Sequence, residues 1–323
     1  MTAGSHYVET IAAQVGQHVF GMDDTVGALA MAQMARGHVL LQGAPGIGKT
    51  LLARTFATTV GGAFRRIQGT PDLTPSDITG VTIFRPDGSE FEFREGPLFT
   101  ELLLIDELNR CNPKTQSALL QAMEERCVTV ERESRALPPN FFVVATQNPM
   151  DFEGTYPLPE SQIDRFLVRI DVQYVEREHE ARVLHTHAIT AERDFAADPL
   201  DPALLDAARA EIDACRVEPA LIDYVLDIAA ASRQREDVQL GLSTRGARAL
   251  VLMARVNAVC AGFDFVRPDD VQVVAPWVIA HRLILTSEAI LEGRTAAEVS
   301  DEIVTTVAVP RVDETTASGA PAG

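Results

Sequence analysis

At 323 residues, with 46% apolar and 23% charged side chains, the chain has the composition of a globular protein and enough length for two cores. Its 46 acidic residues against 28 basic ones leave a formal charge of −18, which argues against a general nucleic-acid or anionic-membrane surface, because phosphate affinity comes from clustered Lys and Arg. Four cysteines at 111, 127, 215 and 260 form no CxxC pair, and MTAGSHYVETIAAQ has no apolar h-region, so we expect reduced thiols and a cytoplasmic protein without a secretory signal.

Residues 1 to about 36 have a helical pattern, broken around HVFGMDD. HVLLQ (38–42) is a short apolar run before a Gly/Pro cluster, as in a buried parallel strand. AFRRIQGT is a second strand, and VTIFRPDGSEFEF alternates on both sides of Pro86-Asp87-Gly88, a hairpin signal. ELLLIDE (101–107) is a third buried strand with acids at its carboxyl end, and PKTQSALLQAMEER (113–126) is a helix opened by proline. VTVERESRAL forms a shorter hairpin or loop, and FFVVATQNP (141–149) and RFLVRIDV (165–172) add two more strands. Strands alternating with helices imply a parallel α/β sheet. From about Val175 helical segments follow one another, at 176–187, 202–214, 218–234, 243–261 and 268–283, so this half is a small all-α domain. The expected division is 1–174, 175–305 and a disordered Thr/Ala/Gly/Pro-rich tail at 306–323. The most apolar helical stretch, 247–263, is interrupted by Arg255 and Asn257, so no membrane span is expected.

Gly43, Ala44, Pro45, Gly46, Ile47, Gly48, Lys49 and Thr50, followed by Leu51 and a helical stretch, fit G-x-x-x-x-G-K-[ST] between a strand and a helix. In such a P-loop the glycines let successive N–H groups point at an anion, and the helix adds its positive end. Only two of the basic residues are lysines, Lys49 and Lys114. Lys114 lies in the first turn of a helix and is expected at the surface. At Lys49 a compact point charge has to reach the β- and γ-phosphates of ATP, a task the planar fork of arginine does not match. Thr50 offers a hydroxyl to Mg²⁺. LLLIDEL then puts Asp106 and Glu107 at the carboxyl end of an apolar strand, where α/β sheets bind their ligands. Asp106 is the expected Mg²⁺ ligand, and Glu107 the group that polarises the attacking water.

A Glu directly after the metal-binding Asp resembles the AAA+ class of ATPases. IDELNRCNPKTQSALLQAMEER, followed by ATQNPMDFEGTYPLPESQIDRF, closely resembles the MoxR family of that class, and the likeness runs from about VFGMDD to WVIAHR. The resemblance implies a P-loop AAA+ nucleotide domain followed by a small helical lid. It further implies that Asn148 is the sensor 1 residue orienting the attacking water, and that Arg165 is an arginine finger acting on the neighbouring subunit's nucleotide, with Arg169 in reserve. Arg245 matches sensor 2, ahead of Arg248, and Phe20 and Gly21 would sit at the adenine. The regions 70–96 and 128–137 resemble inserts that meet a client at a ring pore, although plain surface hairpins are the alternative. A homo-oligomeric ring, a hexamer, is implied, together with an unknown client and a von Willebrand factor A (VWA) domain partner, in a chaperone-like role.

His179, His185 and His187 do not match HExxH, and 179 and 185 do not share a helical face, which argues against a metal site. A nucleic-acid motor and a nucleotide-gated assembly scaffold stay open as other functions. The absence of N-K-x-D argues against GTP.

Overall fold

The computed structural model describes residues 1–85, 90–149, 154–189 and 198–310, with the side chains of 90 and 186–189 outside the description. The Pro86-Asp87-Gly88 turn, the His187 side chain and the tail from 311 therefore lie outside the described residues. The described residues divide into two compact units, one within 1–214 together with 259–263, the other of 215–258 with 264–310.

In the first unit, α1 (Ala3–Val15) and α2 (Asp23–Met34) precede β1 (Val39–Gln42), α3 (Lys49–Val60), β2 (Phe64–Gln68), α4 (Pro75–Thr79), the hairpin β3 (Gly80–Arg85) and β4 (Glu90–Glu95), and β5 (Leu102–Asp106). There follow α5 (Pro113–Glu125), the hairpin β6 (Cys127–Val130) and β7 (Glu133–Ala136), β8 (Phe142–Gln147), α6 (Glu160–Ile163), β9 (Val168–Asp171), α7 (Arg177–Ile189) and α8 (Pro202–Ala214). The five sheet strands run parallel in the order β2-β5-β8-β1-β9. The apolar runs explain the arrangement: Leu102 to Ile105 and Phe142 to Ala145 are all buried, so β5 and β8 need cover on both faces. Leu103, Ile105 and Val143 pack with Leu119, Leu120 and Met123 of α5. Phe142 meets Phe56 of α3, with ring centroids 6.1 Å apart.

Helix α8 groups with this unit, whereas the sequence reading draws the domain line at Val175. Helix α8 buries Leu205, Ala208 and Ile212, and a cap adds to the tie: the Glu211 carboxylate on α8 accepts from the N–H groups of Ala3 and Gly4, at 2.9 and 3.0 Å, on the first turn of α1.

His38, at the entry to β1, is buried between β8 and α5. Its Nδ1 accepts from the Val143 N–H at 3.0 Å, so Nε2 carries the proton and donates to the Met123 carbonyl at 3.2 Å. Both nitrogens are occupied by the neutral ring. Burial, with Arg126 nearby, pushes its pKa down to about 3. The folded value lies below the unfolded one, so between about pH 6.5 and 3 the unfolded chain binds the extra proton, and stability falls with acidification by up to about 1.4 kcal/mol per pH unit. Unfolding free energies from urea titrations at pH 7.5 and 5 are expected to differ by about 2 kcal/mol through this residue, and His38→Gln, whose amide can donate and accept in the same place, is expected to lose that part of the slope.

The second unit holds α9 (Pro219–Gln234), β10 (Val238–Leu240), α10 (Thr244–Cys260), α11 (Pro268–Ile279), β11 (Ile284–Leu285), α12 (Ser287–Leu291) and α13 (Ala296–Thr306). It is helical as expected, with one difference: β10 and β11 pair antiparallel. A charge network ties α13 to this corner. Arg235 and Arg294 both bind Asp237 and Glu302 at 2.6 to 3.3 Å, and these guanidinium hydrogen bonds hold both carboxyls down to about 2.

Among the described residues no helix is long and apolar enough to cross a membrane. The β3–β4 hairpin presents an edge-to-face pair, Phe84 and Phe91, 53% and 75% exposed, with ring centroids 5.3 Å apart.

Candidate active site

The loop between β1 and α3 is built by backbone geometry. Gly46 and Gly48 have φ of 79° and 95°, the left-handed region where a side chain costs most. A Cβ at Gly43 would lie 2.5 Å from the Val172 carbonyl oxygen, so the loop can cross β9's end only with glycine there. Helix α3 starts at Lys49, which turns its first N–H groups toward the loop. Lys49 Nζ donates back to the carbonyls of Gly43 and Ala44 at 2.7 and 2.6 Å. Burial pushes the lysine pKa down, and the charges of Asp106 and Glu107 pull it back up.

Two cavities meet at this loop, and Gly46 and Gly48 line both. The first, about 470 Å³, is largely apolar, lined by Val19, Phe20, Met22, Ile47, Leu51, Tyr174 and Leu184 among others. The Arg182 guanidinium stacks 4.1 Å from the centroid of the Phe20 ring. Gly21, with φ 70°, makes the turn behind Phe20, where a Cβ would lie 2.8 Å from the His179 ring. The second cavity, about 390 Å³, is polar. Lys49, Thr50, Asp106, Glu107 and Asn148 line it, together with Arg66, Gln68 and Thr146.

Sheet order explains who meets whom. Beside β5 lie β2 and β8, so Gln68 stands opposite Asp106 and Thr146 is the residue beyond the Ile105–Ala145 pair. Asp106 accepts from Thr50 Oγ1 at 3.1 and 3.2 Å, from Thr146 Oγ1 at 3.4 Å and from Arg66 Nε at 2.8 Å. Glu107 leaves the strand in the left-handed conformation (φ 57°, ψ 53°), its N–H bonded to Thr146 Oγ1 at 2.9 Å. That turn sends neighbouring carboxylates in different directions. Glu107 Oε2 accepts from Gln68 Nε2 at 2.9 Å and pairs with Arg110 at 3.2 Å.

The chemistry of these donors fits the two groups that the sequence implies. The hydroxyl of Thr50 and the carboxylate of Asp106 are adjacent hard oxygens, the donor set of a Mg²⁺ that takes its remaining ligands from water and phosphate. An apolar cavity joined to a polar one at the start of α3 matches a nucleotide, with its base in the first and phosphates in the second. No cluster of three or more His, Cys, Asp or Glu side chains suited to a metal occurs among the described residues.

Arg165 and Arg169 of the first unit are not among the residues that line either cavity. Arg165 follows α6 and pairs with Glu124 of α5 at 3.3 Å, while its buried Nε has no hydrogen-bond partner among the described residues. Arg169 lies on β9 and pairs with Asp171 at 3.3 Å. Arg245 is exposed at the start of α10, in the second unit. Sequence reasoning missed Arg66, Gln68 and Thr146. The available signal was the polar pair Arg66 and Gln68 flanking buried Ile67 in FRRIQ, and a threonine near the end of an apolar strand.

Comparisons with known proteins agree on the class. Residues 38–168 match the family model for the ATPase family associated with various cellular activities (AAA), and residues 230–303 match the AAA lid domain. The chain is 38% identical to the chaperone MoxR1 of Mycobacterium tuberculosis, over 97% of this chain and 85% of that protein. It is 33% identical to the MoxR protein of Methylorubrum extorquens over 90% of each, and 44% identical to the uncharacterized protein YeaC of Bacillus subtilis over 86% and 87%. The crystal structure of a "putative ATPase" from Cytophaga hutchinsonii superposes with a TM-score of 0.87 at 34% identity, covering 95% of this chain and 96% of that one.

Proposed function

Given that the chain belongs to the MoxR family of AAA+ ATPases, we propose that it works as a homo-oligomeric ring, a hexamer, which hydrolyses ATP between subunits and uses the cycle to remodel or mature a client protein. The observation that carries the catalytic half is the convergence of Lys49, Thr50, Asp106, Glu107 and Asn148 on one polar cavity beside an apolar one. Lys49 and the loop N–H groups hold the β- and γ-phosphates. Thr50 and Asp106 hold Mg²⁺, which when bound screens the phosphate charge and draws it off the leaving oxygen. Glu107 takes the proton from the attacking water while Asn148 orients it. Phe20 and the apolar cavity receive the adenine.

Arg165 supplies positive charge to the next subunit's phosphates. Its absence from the lining of its own chain's polar cavity supports that reading. Arg245 senses the nucleotide from the lid. For the client half, the exposed Phe84–Phe91 pair supports the β3–β4 hairpin as a protein-contact element. A VWA-domain partner is the proposed co-worker, and an adjacent reading frame encoding one would be its first support.

The binding site is tested at Lys49. Lys49→Ala removes the cation, and Lys49→Arg replaces a point charge that folds within 2.7 Å of two loop carbonyls by a planar fork. Both are expected to lose roughly ten- to a hundredfold in ATP affinity by titration calorimetry, about the weight of one charge-assisted hydrogen bond. ATP binding at wild-type strength by the arginine variant would sink this account of the lysine.

A further inference from the structure

Asp106 carries a contact that the phosphate-loop chemistry does not require. Arg66, on β2, puts its Nε 2.8 Å from Asp106 Oδ2. The carboxylate is buried, its side chain 6% exposed, while the arginine reaches in from a side chain that is 52% exposed. The strand explains the reach. Gln68 stands opposite Asp106, and Arg66, two residues back, shares the face of Gln68 and extends along it. The far end of the guanidinium donates to Gln68 Oε1 at 3.3 Å, so the arginine is fixed at both ends.

We propose that Arg66 is a positioning residue that competes with the divalent cation for Asp106, so that loading of the metal and nucleotide expels it from the carboxylate. The argument is one of shared lone pairs and like charge. Thr50 already takes part of both carboxylate oxygens, Thr146 adds to Oδ1, and the Arg66 N–H occupies Oδ2. A cation bound to Asp106 has to share these two oxygens with the three donors already on them. The hydroxyl of Thr50 can turn its lone pair to the cation and stay. A guanidinium has no lone pair to offer and carries the same charge as the metal, so Arg66 is the group that must leave. With the metal absent it gives the buried carboxylate a counter-charge; with the metal present its displacement opposes binding. Arg66 thereby sets the cation concentration at which the site fills. This inference rests on the reading of Asp106 as the metal ligand.

The test uses the full-length protein, Mn²⁺ as the cation and a saturating non-hydrolysable ATP analogue. Bound metal is read by electron paramagnetic resonance, corrected for the analogue alone. Asp106→Asn is expected to lose the tight Mn²⁺ site. Arg66→Gln, which keeps a donor but not the charge, is expected to bind Mn²⁺ roughly tenfold more tightly than wild type, about the weight of one charge-assisted hydrogen bond at a half-exposed site. Arg66→Lys, which keeps the charge, is expected to fall between the two. The rise in melting temperature on adding Mn²⁺ is expected to be larger in Arg66→Gln than in wild type, a readout independent of turnover. Unchanged or weaker Mn²⁺ binding by Arg66→Gln, with Asp106→Asn impaired, overturns the proposal and leaves the metal reading intact. Wild-type binding by Asp106→Asn overturns both. If Arg66→Gln does not fold, Arg66→Lys decides: affinity at or below wild type overturns the proposal.

Discussion

Glu107→Gln is expected to bind ATP and to turn it over roughly a hundred to ten thousand times more slowly than wild type, the usual weight of a lost general base. The substitution keeps the shape of the side chain but cannot take a proton. Apart from weakening the partly exposed ion pair with Arg110, it disturbs little around Glu107. Its backbone is held in the left-handed region by the Thr146 hydroxyl and not by the carboxylate, so the turn after β5 survives. The Gln68 amide that donates to Glu107 Oε2 can donate equally to the amide oxygen of the variant. Asp106 keeps Thr50, Thr146 and Arg66, so the proposed metal site is untouched. ATP should therefore accumulate on the protein, and ring assembly should be retained or strengthened. Phosphate release and retention of a fluorescent nucleotide measure the two halves. Near wild-type hydrolysis would remove Glu107 as the base.

The contrast between Glu107 and Arg66 also shows where a sequence can be read and where it cannot. Lys49, Thr50, Asp106 and Glu107 are legible because each lies within a local pattern: a glycine-rich loop between strand and helix, and a pair of acids ending an apolar strand. The α/β class was legible for the same reason, since strand-like segments, most of them apolar runs, alternate with helices. Arg66, Gln68 and Thr146 come to the site only through the order β2-β5-β8, which nothing local encodes. A polar residue on FRRIQ is an ordinary solvated side chain until its neighbouring strand is known. The place of α8 is a similar case, because the Glu211 cap on α1 joins residues about two hundred positions apart. Segments β10 and β11 have three and two residues, too short for a period-two pattern to stand out. Helix α13 did carry a signal, the capping box of Thr295 and Glu298, which sequence reading passed over.

Arg165 poses the sharpest remaining question, whether it acts across a subunit boundary. A finger on a transferring phosphoryl group supplies about 10³–10⁵ in rate in other systems, so Arg165→Ala is expected to bind ATP and turn over very slowly. Its ion pair with Glu124 gives a rival explanation, a structural arginine whose loss loosens α5 against the segment after α6. That pair is half-exposed, so its loss alone is expected to cost little stability, and an unchanged melting temperature would set the rival aside. Mixing separates the two more directly. Lys49→Ala has no working site of its own but keeps an intact Arg165. When it is mixed in equal parts with Arg165→Ala and subunits exchange, each head-to-tail interface pairs one chain's site with the other's arginine. At random about one interface in four joins a working site to a working finger, so activity should return to roughly a quarter of wild type, or less where neighbouring sites are coupled. A cross-linked control, unable to exchange, should stay inactive. A structural arginine predicts no recovery at all, because every chain then carries its own defect. If mixed rings form and remain inactive, Arg165 does not act in trans, and Arg169, paired with Asp171 on β9, becomes the arginine to test in the same way.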